Sequence, residues 1–478
     1  MSIELNHIIK NATIDFQYNG KTDGIVLLQE VKNWVYDSLK QLELVFSNWN
    51  KYDEIISMDK LELELNLKSS HWKDEAAHQL IQQVRNKLQL MKTGGNSLNT
   101  YKAQTDMQNF AETFLFYLQN GYLPWNASST TAKEWNDQLE KLFYQPDEKF
   151  IQNLKVVLLQ SSDSLERYLN IIPVQLSIHL FLTSKIQLSE TRRQYVHDLN
   201  LILHLAAVHH FAELYDVIHR LFLKVITRQK IHLNVKDEVI PLLKKRVIKF
   251  NELVQLIKNQ TFQTEMIKEV QTEINNWEKP LKQKKTNKTI PVNPFEQKEI
   301  REFEKSVTVI DVKDAIYISN AGLVLIAAFI PSYFEKIGTS SENKILENTK
   351  AVCILNYLTT GSVNMEEYDL VFPKILCGLS YKEPVSTKSF HVSNAIKKET
   401  ENMLNSVIEH WNILQNTSVN GLQDSFLRRE GKLSFNGSEW KLTVEQKPYD
   451  LLLDHLPWNF SMIKLPWMKH LLKTQWNY

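Results

Sequence analysis

Phe114-Leu115-Phe116-Tyr117-Leu118-Gln119-Asn120-Gly121-Tyr122-Leu123-Pro124-Trp125 is the stretch on which the fold turns. Apolar residues run almost to Asn120. Gly121 then suits the position just past a helix C-terminus, where a left-handed backbone is wanted. Pro124 keeps the chain from re-entering a helix at once. Beyond this point no glycine occurs between Tyr122 and Ala321, and the 478-residue chain holds only 12. That is about a third of the usual ~7%. Such a stretch builds tight turns, bulges and phosphate-cradling loops poorly. It builds helices readily, because they need glycine only beyond their ends, where asparagine can substitute.

Downstream, from about Met107 to Trp277, helix follows helix. Leu154, Val157, Leu158, Leu165, Tyr168 and Leu169 recur at helical spacing, as do Leu201, Leu205, Val208, Ala212 and Tyr215. Pro146, Pro173 and Pro241 mark breaks between ordinary packed helices. Glu278 to Pro294, with its run Lys279-Pro280-Leu281-Lys282-Gln283-Lys284-Lys285, reads as a polar basic linker that cannot bury enough apolar surface to order itself. Past it, Ala321 to Phe334 is apolar nearly all round, as in a helix buried on most sides. Helices are expected over about 350–358 and 394–414. Lys432 to Val444, turning at Asn436-Gly437, reads as a hairpin; a two-residue loop would place Leu433 opposite Trp440.

Upstream, Ala12, Ile14, Phe16 and Tyr18 alternate with polar residues, and Leu61, Leu63, Leu65 and Leu67 alternate with Glu62, Glu64 and Asn66. Both patterns predict half-buried strands. Helices are expected over about 24–46 and 72–91. The expectation is thus a mainly α chain with small β elements (α+β). An N-terminal strand-helix-strand-helix unit occupies 1–95, a helical middle 96–277, the linker 278–300, and a helical C-terminal domain 301–478, with the hairpin near 432–445. No internal repeat of fixed period is present.

Chemistry is scarce. Lys+Arg (56) and Asp+Glu (55) nearly cancel, so no global field favours nucleic acid or an anionic membrane. No apolar run approaches the ~20 residues that cross a bilayer, the N-terminus lacks the pattern of a secretory signal, and a cytoplasmic setting is expected. Cys353 and Cys377 have no CxxC spacing and read as buried small hydrophobes. Phosphate-cradling, zinc-protease and nucleophile-elbow motifs are missing. Seven of the 14 histidines fall between His179 and His232, but they do not make two carboxylate-supported ligand sets. The reading is a non-enzymatic protein without cofactor or metal.

Aromatic-proline corners are more informative. Leu-Pro-Trp occurs three times, ending at Trp125, Trp458 and Trp467. Proline stiffens the turn that presents each indole, and tryptophan serves equally as a core cap or an interface anchor. Trp411, Arg428 and Arg429 join these three as candidates for partner contact or fold capping.

A set of motifs in order along the C-terminal region resembles the tape-measure proteins of contractile injection systems. It comprises Ser319-Asn320-Ala321-Gly322-Leu323-Val324-Leu325, Leu376-Cys377-Gly378-Leu379, Glu409-His410-Trp411, Phe426-Leu427-Arg428-Arg429-Glu430-Gly431, Tyr449-Asp450-Leu451-Leu452-Leu453 and the last two Leu-Pro-Trp corners. His7-Ile8-Ile9, Met58 to Leu63 and Gly121 to Trp125 extend the similarity to the N-terminus. The resemblance implies an assembly factor of a phage-tail-like particle. Its partners would be tube, sheath or baseplate proteins, and it would set tube and sheath length and join baseplate assembly. As one helix, 122–277 would span on the order of 230 Å. The other reading is a helical adaptor or chaperone-like docking protein that is no ruler.

Overall fold

Stripes of apolar residues at helical spacing make the first elements. In the computed structural model, which describes residues 24–49, 54–58, 60–67, 72–92, 101–127, 132–183 and 315–476 except 389, with a few isolated positions, the chain forms two compact units. One comprises Met1–Thr113 with Trp125–Ser128, and the other Phe114–Pro124 with Ser129–Tyr478.

In the first unit, α1 (Gly24–Trp49) packs on α2 (Trp72–Lys92) through Leu42, Val45, Val84 and Leu88. Strand β1 (Glu54–Met58) pairs antiparallel with β2 (Tyr101–Thr105). The leucine alternation at 61–67 is extended, with half-buried Leu61, Leu63 and Leu65 and exposed Glu62 and Glu64, but it joins no strand ladder. Side chains of α2 supply its hydrogen bonds instead: Gln79 and Gln83 donate to and accept from the backbone of Asn66 and Glu64. The alternation thus set which side chains face inward, while the neighbouring helix took the place of a partner strand. Of the expected strand at 12–18, Thr13, Asp15 and Gln17 lie in no strand, and its apolar members lie outside the described residues. So do the linker at 278–300 and nearly all of the middle beyond Thr183.

The second unit opens with the end of α3 (Asp106–Asn120), closed by Gly121 at φ +77° with its N–H on Tyr117 O at 2.7 Å. Helices α4 (Ala132–Tyr144), α5 (Glu148–Gln160), α6 (Ser162–Ile171) and α7 (Val174–Thr183) follow. Asp147 and Ser161 cap α5 and α6 by accepting from backbone N–H groups, worth about 1 kcal/mol each. Pro146 and Pro173 sit in the breaks between these helices. Phe114, Phe143 and Phe150 meet edge-on or tilted at 5.9–6.4 Å between centroids, arrangements that aromatic quadrupoles favour.

The C-terminal part is built on a five-stranded sheet. Its strands are β3 (Ile316–Ile318), β6 (Gly431–Phe435), β7 (Glu439–Val444), β8 (Met462–Ile463) and β9 (Leu471–Gln475), in the order β3-β6-β7-β9-β8, with β7 and β9 parallel. A small separate hairpin joins β4 (Ser340–Ser341) to β5 (Lys344–Ile345). The hairpin of β6 and β7 is therefore the middle of a sheet and not the end of the domain. Its loop is longer than two residues, so Leu433 faces Leu442, and Trp440 faces Phe435. Asn436 Oδ1 accepts from the backbone N–H of Ser438 and Glu439, which widens the turn. The two-residue shift keeps every side chain on its expected face.

Around this sheet lie α8 (Ile330–Lys336), α9 (Asn348–Thr360), α10 (Val371–Leu376) and α11 (Asn394–His410). Gly361, at φ +66°, ends α9, and Ser393 caps α11. The long apolar helix expected over 321–334 is instead a 3₁₀ helix, Ala321–Phe329, followed by α8 with Pro331 in its first turn. A 3₁₀ run of nine residues is poor on its own terms, since runs beyond about 3–4 are uncommon. Burial on all sides holds it, Ala321 through Ala327 being buried throughout. Gly322 permits this: a Cβ there would lie 1.8 Å from the Phe426 carbonyl oxygen.

Gly322→Ala should accordingly force two backbones apart and destabilise the second unit by at least ~3 kcal/mol. A urea titration reads this as a lowered midpoint with α-helical signal lost; an unchanged midpoint would mean that the two backbones separate freely.

Candidate functional site

The three C-terminal candidate tryptophans each place an indole N–H on a backbone carbonyl across the core. Trp458 donates to Leu325 O at 2.7 Å and meets Phe329 edge-on at 5.0 Å. Trp467 donates to Leu376 O at 2.7 Å and stacks on Phe334 at 5.6 Å. Leu376 is the last residue of α10, so its carbonyl is one of those a helix end leaves unsatisfied. Trp411, fully buried, leaves the end of α11 and donates to Leu452 O at 3.1 Å. Trp458 and Trp467 are half-buried beside exposed Pro457 and Pro466. Each corner therefore fastens the C-terminal segment while keeping part of its ring at the surface. Trp125 is half-buried and groups with the first unit.

Arg428 and Arg429 go separate ways. Arg428 is exposed and pairs with Asp424 at 2.7 Å, an arrangement worth well under ~1 kcal/mol. Arg429 is buried. Its guanidinium lies between the rings of Tyr449 and Trp476, at 5.3 and 5.1 Å from their centroids, and donates to Asp450 Oδ1 at 2.7 Å and Glu445 O at 2.9 Å. Asp450 also accepts from Trp476 Nε1 at 2.9 Å and Lys447 N at 2.8 Å. The two adjacent arginines thus make unrelated contacts. Exposed Leu451 and Met462 lie on the same C-terminal segment as the pinned tryptophans.

A second buried centre has no counterpart among the sequence candidates. Glu367 Oε1 accepts from Lys374 Nζ at 2.6 Å and Arg167 Nε at 3.2 Å, and Oε2 accepts from the Tyr117 hydroxyl at 3.0 Å. Arg167 spends its remaining donors on the carbonyls of Leu118, at 2.8 Å, and Lys382. A Cβ at Gly121 would lie 2.8 Å from the guanidinium, so the glycine that ends α3 also makes room for the arginine. Burial pushes the Lys374 pKa down, and the Glu367 charge opposes that fall. Burial and Glu367 together hold the Tyr117 hydroxyl protonated. Tyr117, Trp135 and Tyr368 close the centre edge-on. No local motif signals these residues, because their partners lie up to 250 positions apart.

Ser177 Oγ lies 2.6 Å from His219 Nε2 and 2.8 Å from the Tyr168 hydroxyl. The pair has the atoms of a nucleophile and base, but Ser177 and His219 are both buried, at 0% and 3% exposure. Burial first, then Lys388 and Arg220, lowers the His219 pKa to about 3. The ring is neutral and serves as a packed hydrogen-bond partner. Cys353 and Cys377 are buried thiols, with burial pushing Cys353 up to about 12. Among the described residues, no three His, Cys, Asp or Glu side chains group closely enough to hold a metal ion, and no helix is long and apolar enough to cross a membrane.

A family model of contractile injection system tape measure proteins matches residues 6–476. The chain belongs to this family. No curated protein and no solved structure matches it. The C-terminal motifs of the resemblance fall, in the structure, on the C-terminal core: the buried 3₁₀ helix and its crossing at Phe426, the Arg429–Asp450 pair, and the indoles fastened over them. As a tape measure family member, the chain takes part in assembling a contractile injection system.

Removing the carboxylate with Glu367→Ala leaves two cations buried without a counter-charge and should lower stability by ~3–5 kcal/mol. Adding Lys374→Met should recover much of that loss in a chemical-denaturation cycle. For His219, the folded pKa lies below the unfolded value of 6.5, so the unfolded chain binds the extra proton. Stability from this group is complete above about pH 6.5 and falls as pH drops toward 3, by at most ~1.4 kcal/mol per pH unit. The stability difference between the wild type and His219→Gln should shrink with this slope as pH is lowered over that range, measured by denaturation.

Proposed function

We propose that the protein is a non-enzymatic assembly factor of a phage-tail-like contractile particle, docking on tube, sheath or baseplate proteins and contributing to tube and sheath length. The observation that carries this is the family match across residues 6–476. The C-terminal body supports it in physical terms. Its tryptophans are fixed by hydrogen bonds to carbonyls of distant elements, so their exposed portions lose little further entropy on contact. Trp458 and Trp467, with Leu451 and Met462 on the same segment, are our choice of contact residues; Trp411, Arg429 and Asp450 hold that segment in place. The near-zero net charge fits a protein partner and not nucleic acid. We assign assembly to the cytoplasm, with the protein retained in the assembled particle as the other arrangement.

One observation favours docking without a ruler. The described helices α4 to α7 are 10–13 residues long and broken at Pro146 and Pro173. They pack on one another, α4 against α7 and α5 against α6. A ruler would have to unpack these helices to gain a fixed rise.

Trp458→Ala/Trp467→Ala, introduced into a particle-producing strain, should abolish particles or sharply reduce their number in electron micrographs. Inserting about 20 helix-forming residues after Tyr144 separates the two readings. Length setting lengthens the tube by about 30 Å, at ~1.5 Å per residue; docking alone leaves it unchanged. Normal particles from the double tryptophan variant would sink the proposal.

A further inference from the structure

Four Asn-Gly pairs occur in the chain, beginning at Asn19, Asn120, Asn420 and Asn436. Such a pair is able to modify itself. The glycine backbone nitrogen attacks the side-chain carbonyl carbon of the asparagine, and glycine has no Cβ to hinder the approach. Asn19 lies outside the described residues, and the fold treats the other three pairs differently. Gly121 N donates to Tyr117 O at 2.7 Å, and the Asn120 amide donates to Phe116 O at 2.9 Å. Nucleophile and target are both tied there. Gly421 N donates to Ser418 Oγ at 3.1 Å within the short helix Val419–Leu422. Gly437 is exposed at φ +96°, and a Cβ built on it would meet nothing within 4 Å. Among the described residues its N–H has no hydrogen-bond partner.

The side chain of Asn436 is arranged for the reaction. Its Oδ1 accepts from the backbone N–H of Ser438 at 3.0 Å, from that of Glu439 at 2.9 Å, and from the Ser438 hydroxyl at 3.0 Å. Negative charge gathers on this oxygen as the tetrahedral intermediate forms, and donors already aimed at it lower the barrier. Glu439 Oε1, paired with Lys473 at 2.8 Å, lies 3.5 Å from the nitrogen that leaves. We propose that Asn436-Gly437 is a self-modification site, at which the folded turn speeds deamidation. Gly437 N gives up its proton and bonds to Asn436 Cγ. The Cγ–Nδ2 bond breaks, and the nitrogen departs as ammonia with that proton. Water then opens the cyclic imide at either carbonyl, giving aspartate or isoaspartate. Aspartate keeps the turn, because its carboxylate accepts from the same donors. Isoaspartate routes the main chain through Cβ and lengthens it by a methylene, in a hairpin flanked by β3 on one side and β9 on the other. The product is a lasting change at the tip of that hairpin.

The test incubates the full chain at mildly alkaline pH, with and without urea, and follows each pair by proteolysis and mass spectrometry. In the folded chain Asn436 should deamidate at least ~tenfold faster than Asn120 or Asn420, which must first break a hydrogen bond to the attacking nitrogen and leave helical geometry. In urea that lead should vanish. Ser438→Ala, on the exposed turn and keeping both backbone donors, should slow Asn436 by at least ~threefold and leave the other two pairs unchanged. Its circular dichroism, matched to the wild type, checks that the sheet is intact. An Asn436 rate equal to that of Asn120 or Asn420, a lead that survives in urea, or indifference to Ser438→Ala would overturn the proposal.

Discussion

The carboxylate of Glu367 is the interaction on which the second unit depends. It is buried among Arg167, Lys374 and Tyr117, which reach it from α6, α10 and the end of α3. A buried ion cluster of this kind adds little net stability over an apolar replacement, but losing one member leaves charge stranded in low dielectric. Its effect is therefore on arrangement: the helices can meet the C-terminal body in one way. Gly121 belongs to the same constraint, since the residue that ends α3 with a left-handed turn also gives Arg167 its room.

The C-terminal body repeats this economy of parts. Gly322 lets the buried 3₁₀ helix touch the backbone at Phe426, Gly378 lets α10 end against the carbonyl of Trp467, and Asp450 gathers Arg429, Trp476 and the backbone of Lys447. These contacts join segments far apart in sequence. The first unit differs: side chains of a helix, not a partner strand, satisfy the extended segment at 61–66.

Much of the fold was legible in the sequence. Glycine scarcity implied helices, the stops at Gly121 and Gly361 lie where left-handed turns occur, and α1, α2, α9 and α11 match their apolar periodicity to within a few residues. The candidate site was legible only in outline. Proline-tryptophan corners and Arg429 stand out in sequence, but Glu367, Lys374, Arg167, Asp450 and His219 look like ordinary polar residues until their partners arrive.

What the sequence determined by itself was local: which side chains face inward, where helices stop, and membership of the tape measure family. Periodicity and end signals act over a few residues, so they can be read without knowing the fold. Only tertiary structure decided that Ala321–Phe329 winds as a 3₁₀ helix, that the leucine alternation pairs with glutamines, that the hairpin shifts by two residues, and that Arg428 and Arg429 part company. Each of these depends on what backbone or charge lies opposite, and chain order does not encode that distance.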